Sequence, residues 1–203
     1  MTPAATILIA TKNRGKLREV RNILAGLPVA FATLDQFPDL PEPVEDADTF
    51  EGNAERKALH YARLTGLWTL ADDSGLEVDA LDGAPGVYSA RFAGSGCTFA
   101  DNNAKVLHLM EHVAESRRTA RFHCVAALAL DHERIETFDG VVEGFVTRTE
   151  IGNGGFGYDP IFFSPELQCT FAEAPTDAKN QISHRGRAFL HIAGQGHGRH
   201  FAL

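Results

Sequence analysis

The sequence predicts an α/β protein built on an open sheet, and three stretches predict it. Thr6-Ile7-Leu8-Ile9-Ala10 is a short apolar run with β-branched residues, the pattern of a buried strand. A tight polar loop then leads into Leu17, Val20, Ile23 and Leu24, which recur at helical spacing, so a helix starts near residues 14–16. A second apolar run, Leu67-Trp68-Thr69-Leu70, ends on Ala71-Asp72-Asp73-Ser74-Gly75. Successive strand side chains point to opposite faces, so Asp72 and Asp73 cannot both enter the core. Ligands of open α/β sheets bind at the carboxyl ends of strands, which is where this pair is expected to lie. Adjacent carboxylates repel unless a positive group sits between them, and a hard divalent cation is the usual solution.

The chain has 203 residues, enough for one large domain or two lobes sharing a core. Its formal net charge of -8 argues against a general nucleic-acid or membrane-surface binder. No run is long and apolar enough to span a bilayer as a helix. Met1 to Ala10 lacks a basic region before its apolar segment and makes a poor signal peptide. Cys97, Cys124 and Cys169 are odd in number and lack metal-type spacing. A reducing cytoplasm is the expected location.

The loop after the first strand is Thr11-Lys12-Asn13-Arg14-Gly15-Lys16. Strand, loop and helix together are expected to offer free backbone N–H groups and the positive end of a helix dipole. From Lys12 to Arg21 there are five basic residues and one acid, Glu19. In a net-acidic chain that excess points to an anion, most simply a phosphate chain. The two-glycine spacing of a Walker A loop is missing.

Val29 to Thr33 is a candidate strand, and Leu34 to Glu45, with Pro38, Pro41 and Pro43, is a surface loop. Asp48 or Thr49 caps the next helix, whose apolar stripe is Phe50, Ala54, Ala58 and Tyr61 or Ala62. If the loop before it folds back, Glu45 lends a further carboxylate to the Asp72-Asp73 site. Leu76 to Val78 reads as a separate short strand, and Gly83 to Phe92 as an ordered, turn-rich loop. Phe99 to Met110 is a helix, Ala120 to Leu130 a long strand, and Ile135 to Thr147 one bent strand or two short ones. This middle third is expected at the outer part of the sheet.

Gly152 to Pro160 carries four glycines, which permit close backbone approach to something flat or anionic. Its aromatics, Phe156 and Tyr158, offer faces on which a base could stack. The plainer alternative is a glycine-rich turn whose aromatics plug the core. Ser183 is a good helix N-cap, which puts His184 and Arg185 in the first turn, where cations oppose the dipole. The tail carries His197 and His200 and is expected to be solvated.

Six motifs, in order, resemble the inosine triphosphate pyrophosphatase family, the enzymes of non-canonical purine nucleoside triphosphates. They are Thr11-x-Asn13-x-x-Lys16, Thr49-Phe50-x-x-Asn53-Ala54, Ala71 to Gly75, Pro85 to Arg91, Gly155 to Pro160 and Ser183 to Gly186. The resemblance covers nearly the whole chain. It implies a long mixed central sheet with helices, in a single domain over residues 1–203 whose two lobes flank a nucleotide-binding cleft. It also implies a homodimer.

By that resemblance, Thr11, Lys12, Asn13, Arg14, Gly15 and Lys16 form the triphosphate loop. Asp73 is the general base and a Mg2+ ligand, with Glu45 as the second carboxylate at the metal. Ser74 contacts substrate. Phe156, Gly157, Tyr158, Asp159, Lys179, His184 and Arg185 bind the nucleotide. Lys179, His184 and Arg185, or nearby N–H groups, are the donors expected at the 6-oxygen of the base, with Phe156 stacked on the ring. The implied reaction splits inosine, deoxyinosine or xanthosine triphosphate into the monophosphate and pyrophosphate. The alternatives are a pyrophosphatase for pyrimidine or modified nucleotides and a nucleotide-binding regulator without turnover.

Overall fold

The computed structural model describes residues 6–196; His197 and His200 lie outside them. Seven strands are hydrogen-bonded in the order β2-β1-β3-β4-β5-β6-β7. In chain order they are β1 (Thr6–Ile9), β2 (Ala30–Thr33), β3 (Trp68–Val78), β4 (Thr119–Ala129), β5 (Ile135–Val146), β6 (Phe162–Ser164) and β7 (Cys169–Thr170). β1 runs parallel to both β2 and β3, whereas β6 is antiparallel to β5 and β7, so the sheet is mixed. Five helices accompany it: α1 (Arg14–Ile23), α2 (Phe50–Thr65), α3 (Phe99–Leu109), α4 (Thr176–Ile182) and α5 (His184–Gly196). No helix among the described residues is long and apolar enough to cross a membrane.

The described chain divides into two compact units. The first comprises residues 6–73, 124–140 and 185–196. Its core joins Ile7 and Ile9 of β1, Val20 and Leu24 near α1, Leu70 of β3, Cys124 and Leu128 of β4, and Phe189 and Ile192 of α5. α1 turns its Leu17, Val20, Ile23 and Leu24 stripe into this core, as its periodicity requires. α2 is capped by Thr49, whose hydroxyl accepts from the Gly52 N–H, and it ends on left-handed Gly66. It buries Phe50, Ala54, Ala58, Tyr61 and Ala62.

The second unit is Ser74–His123 and Val141–His184. Its core gathers Leu76, Val78, Val106, Met110, Phe122, Val142, Phe162 and Phe171. Arg118 is almost wholly buried and donates to the carbonyls of Met110, Val146 and Thr147. It thereby satisfies a carbonyl at the end of α3 that the helix itself leaves open.

Two expectations are corrected. β4 is not at the outer part of the sheet but pairs between β3 and β5. Its exposure alternates only through His123; from Cys124 onward every residue to Ala129 is buried, the pattern of a strand covered on both faces. β3 does not end at the Asp72-Asp73 pair. It continues as one strand to Val78, absorbing the short strand expected at Leu76 to Val78. The turn preference of Asp-Ser-Gly is overridden by tertiary partners of the two carboxylates. Ile135 to Thr147 resolves as a single strand through Val146.

Gly144 in β5 shows how closely the second unit is packed. A Cβ there would lie 2.4 Å from the Phe163 carbonyl oxygen and 2.5 Å from Phe162 Cζ. Gly144→Ala is expected to lower unfolding stability by about 1–3 kcal/mol, the usual cost of overpacking. A urea midpoint equal to the parent's would show that the strand yields at no cost.

Candidate functional site

In the first unit, strand alternation sorts the two adjacent carboxylates of β3. Asp72 shares its face with Leu70 and is 3 % exposed. There it meets Lys16 of α1, whose Nζ is 3.0 Å from Oδ2. Arg185 of α5 donates to the same oxygen from Nε at 3.3 Å and Nη2 at 3.2 Å. Arg185 is itself buried, and its Nη1 donates to Glu19 of α1 at 2.6 Å. Burial alone would raise the Asp72 pKa, but the charges of Lys16, Arg185 and Lys57 outweigh it and hold the carboxyl well below its usual range. Asp72 is therefore a fixed anion inside the protein.

Asp73 points the other way, toward α2. Asn53 Nδ2 donates to its Oδ2 at 3.0 Å. Burial pushes the Asp73 pKa up and the Asp72 charge adds to this, against the pull of Lys16, Lys57 and the Asn53 hydrogen bond. One turn after Asn53, Lys57 brings its ammonium 2.8 Å from Glu45 Oε2 and donates to the Asp72 carbonyl at 3.1 Å. Burial would lower the Lys57 pKa, but Glu45, Asp72 and Asp73 outweigh burial and raise it. The loop bearing Glu45 thus does fold back, tied also by the Asn53 side chain to the N–H and carbonyl of Ala47.

Asn53 and Lys57 carry no function in the sequence reading. The signal was their spacing of four, which sets both on one face of α2, beside the apolar stripe.

The Thr11–Lys16 loop differs from expectation in one respect. The N–H groups of Gly15 and Lys16 donate to Asn13 Oδ1, at 2.9 and 3.2 Å, and that of Asn13 to Thr11 Oγ1 at 3.2 Å. Asn13 and Thr11 spend these donors on shaping the loop and capping α1. Lys12 is exposed and pairs with Glu42 at 2.6 Å, and Arg14 is exposed at the start of α1. The partly buried cation the loop delivers is Lys16.

The second unit holds a separate constellation. Asp159 is buried, and its Oδ2 accepts from the Phe156 N–H at 2.8 Å and from Lys179 Nζ of α4. The loop closes so tightly that a Cβ on Gly155, which has φ of +69°, would lie 2.0 Å from that oxygen. Close approach at Gly152 and Gly154 is likewise to the chain itself, at Ala172 and Glu173, while Gly157 has open space around it. Gly152, Gly154 and Gly155 thus serve the loop's own closure.

Its two aromatics divide. Tyr158 is buried and donates to the Ser89 carbonyl at 2.8 Å, so it plugs the core. Phe156 stays partly exposed, with Lys179 Nζ 5.3 Å from its ring centre. His184 is buried and stacks on Phe122, centroids 4.6 Å apart. Ser74 follows Asp73 as a partly exposed residue of β3.

The two carboxylates respond oppositely to pH. The folded-state pKa of Asp72 lies below its unfolded value, so its stabilisation is complete above the unfolded pKa and is lost as pH falls through the folded one. That of Asp73 is raised, so its contribution is present at low pH and lost as pH rises through the folded pKa. Asp72→Asn should cost about 3–5 kcal/mol at neutral pH, because buried Arg185 and partly buried Lys16 lose their partner. Asp73→Asn should leave the midpoint at or above the parent's. Thermal unfolding of both variants checks this, and equal losses in the two would refute the division.

A family model described as the Ham1 family matches residues 7–195. A protein of Geobacter sulfurreducens named dITP/XTP pyrophosphatase is 50 % identical over 194 residues, covering 94 % of this chain and 98 % of the relative. One of Desulforamulus reducens with the same name is 51 % identical over 182 residues, 90 % of each chain. The solved structure of a HAM1 protein from Coxiella burnetii superposes with a TM-score of 0.87 at 42 % identity, over 95 % of this chain and 98 % of that one. With a mixed sheet of the same architecture and half its residues shared over nearly its full length, this chain belongs to the Ham1 family.

Proposed function

We propose that this chain hydrolyses non-canonical purine nucleoside triphosphates (inosine, deoxyinosine and xanthosine triphosphate) to the monophosphate and pyrophosphate. It would act as one nucleoside triphosphate pyrophosphatase domain of two lobes over residues 1–203. The observation that carries this is the separation of Asp72 from Asp73. One carboxylate is locked in ion pairs, and its neighbour is held on the opposite face with a raised pKa. Two titratable groups pushed apart by their surroundings mark an acid–base site. The named relatives support the substrate class.

Asp73 accepts the proton of the attacking water, and Asn53 fixes one of its oxygens for the purpose. Lys16 moves from Asp72 to the phosphates and stabilises the pyrophosphate as its charge grows; Arg185 stays behind to keep Asp72 an anion. Lys57 serves as the bridge between Glu45 and β3. Among the described residues no group of three or more His, Cys, Asp or Glu could hold a metal ion. Carboxylate oxygens are the donors Mg2+ takes, and protein sites bind it through one or two of them plus substrate phosphates. Asp73 and Glu45 would hold it, and it would neutralise phosphate charge and activate water.

In the second unit Phe156 stacks on the base, and Lys179 and His184 supply donors to it. Tyr158 and Asp159 support them from beneath through Ser89, the Phe156 N–H and Lys179. The Arg185 guanidinium is committed to Asp72 and Glu19, so its part is to position Asp72 and not to meet the base. A homodimer is proposed from the family resemblance. A cytoplasmic location fits Cys97, Cys124 and Cys169 as free thiols.

The test is pyrophosphate release from inosine triphosphate with added Mg2+. Asp73→Asn should lower kcat by about 10²–10⁴ while keeping the fold. Turnover within a few-fold of the parent would remove Asp73 as base, and no release by the parent would make the chain a binder only.

Base choice follows from hydrogen bonding. Inosine and xanthine present an oxygen at position 6, whereas adenine presents an amino group that faces the pocket's donors. One unpaired buried donor costs about 1–3 kcal/mol, and sites built on such bonds reject the wrong partner by up to about 10⁴. Guanine shares the oxygen and differs in its 2-amino group. The expected order of kcat/KM is inosine and xanthosine triphosphates first, then guanosine, with adenosine and the pyrimidines lowest. Equal values would mean that only the phosphates are gripped, and a pyrimidine preference would favour the alternative activity.

A further inference from the structure

We propose that Phe99 is a second aromatic wall of the base site, a specificity residue that extends the Phe156 face to the width of a purine. This rests on the reading of Phe156 as the stacking residue. Phe99 is the first residue of α3, and its ring centre lies 6.2 Å from that of Phe156, tilted by 46°.

Neither folding nor helix capping accounts for an aromatic at this position. Phe99 is 48 % exposed, so it gives the core little. The cap of α3 is made by its neighbours. Thr98 Oγ1 accepts from the Asp101 N–H at 3.2 Å, and the Asp101 carboxylate accepts from the Thr98 N–H at 2.8 Å. Asn102 Oδ1 accepts from the Ala93 N–H at 2.8 Å and its Nδ2 donates to the Ala90 carbonyl at 3.4 Å, anchoring the same turn to the preceding loop. A reciprocal cap and a buried asparagine therefore hold the backbone that bears this half-exposed phenyl ring.

Phe156 is fixed to the same standard, by its N–H to Asp159 and by the closed glycine loop behind it. The two rings, 6.2 Å apart and tilted by 46°, both reach solvent and together make an aromatic corner. Such surfaces bind bases because every base has a π-face, and pre-placed rings lose little entropy on binding. A purine spans both rings of the corner, whereas a pyrimidine covers one. Phe99 thus adds a size criterion to the donor criterion at position 6.

The base is remote from the bond that breaks, so Phe99 should contribute binding that is uniform along the reaction. Phe99→Leu keeps apolar bulk but removes the face. It should raise KM for inosine triphosphate about 5- to 10-fold, with the loss falling on KM and not on kcat. Inhibition by inorganic tripolyphosphate, which has no base, should be unaltered. Phe99→Tyr should restore most of the lost affinity.

Phe156→Leu is measured beside them. If it raises KM and Phe99→Leu does not, this proposal falls and the stacking role of Phe156 stands. If neither raises KM, base stacking on Phe156 itself falls and this proposal with it. Weaker tripolyphosphate inhibition in Phe99→Leu would show a general distortion and would also overturn it.

Discussion

Everything in the first unit is arranged around a carboxylate that water does not reach. Asp72 lies in the interior of β3, and an isolated charge there would be prohibitively costly. Lys16 arrives from α1 and Arg185 from α5, and Glu19 on α1 balances the second cation. The four groups carry two positive and two negative charges and are neutral as a set. Buried ion pairs are weak sources of net stability but strongly penalise arrangements in which a partner is missing. Their effect here is to fix the register of α1 and α5 on the strand, and so the place on α1 from which Lys16 extends.

The consequence for Asp73 follows from one peptide of strand geometry. Because Asp72 is held on one face, its neighbour must face the other, where α2 supplies Asn53 and Lys57. A single pair of adjacent aspartates thus yields one carboxylate locked in ion pairs and one held on the opposite face with a raised pKa. In the second unit one carboxylate plays the structural part again. Asp159 is the internal anchor on which the Phe156 loop and Lys179 converge. In both units a buried acid holds a lysine in place.

The elements were legible where a single face decided the pattern. α1 through Leu17, Val20, Ile23 and Leu24, and β1 through Thr6 to Ile9, need no partner to be recognised. The course of β3 was not legible, because Asp-Asp-Ser-Gly is a composition that also suits turns, whereas here it continues the strand with Asp72 paired to Lys16 and Arg185. The place of β4 in the sheet depends on which strands pair beside it, and no local pattern encodes that. At the site, residue types pointed to Asp73, Glu45 and Lys16. They could not show that Arg185 turns inward, since an arginine in a first helical turn looks the same whether it meets a ligand or a buried acid. Lys57 stayed hidden because a lysine on a helix is ordinarily a solvated one.

The first unit is assembled from residues 6–73, 124–140 and 185–196, three separated pieces of chain. A polypeptide leaving the ribosome exposes β3 long before Arg185 exists. Until then Asp72 has only one of its two guardians, and the strand that carries it has an uncompensated charge to bury. The unit can therefore close only after α5 has emerged and docked. Contacts between distant segments also fold slowly, since the loops joining them must be closed first. α5 thus acts as a completion signal for this unit: until it docks, the buried carboxylate of β3 lacks its full set of partners.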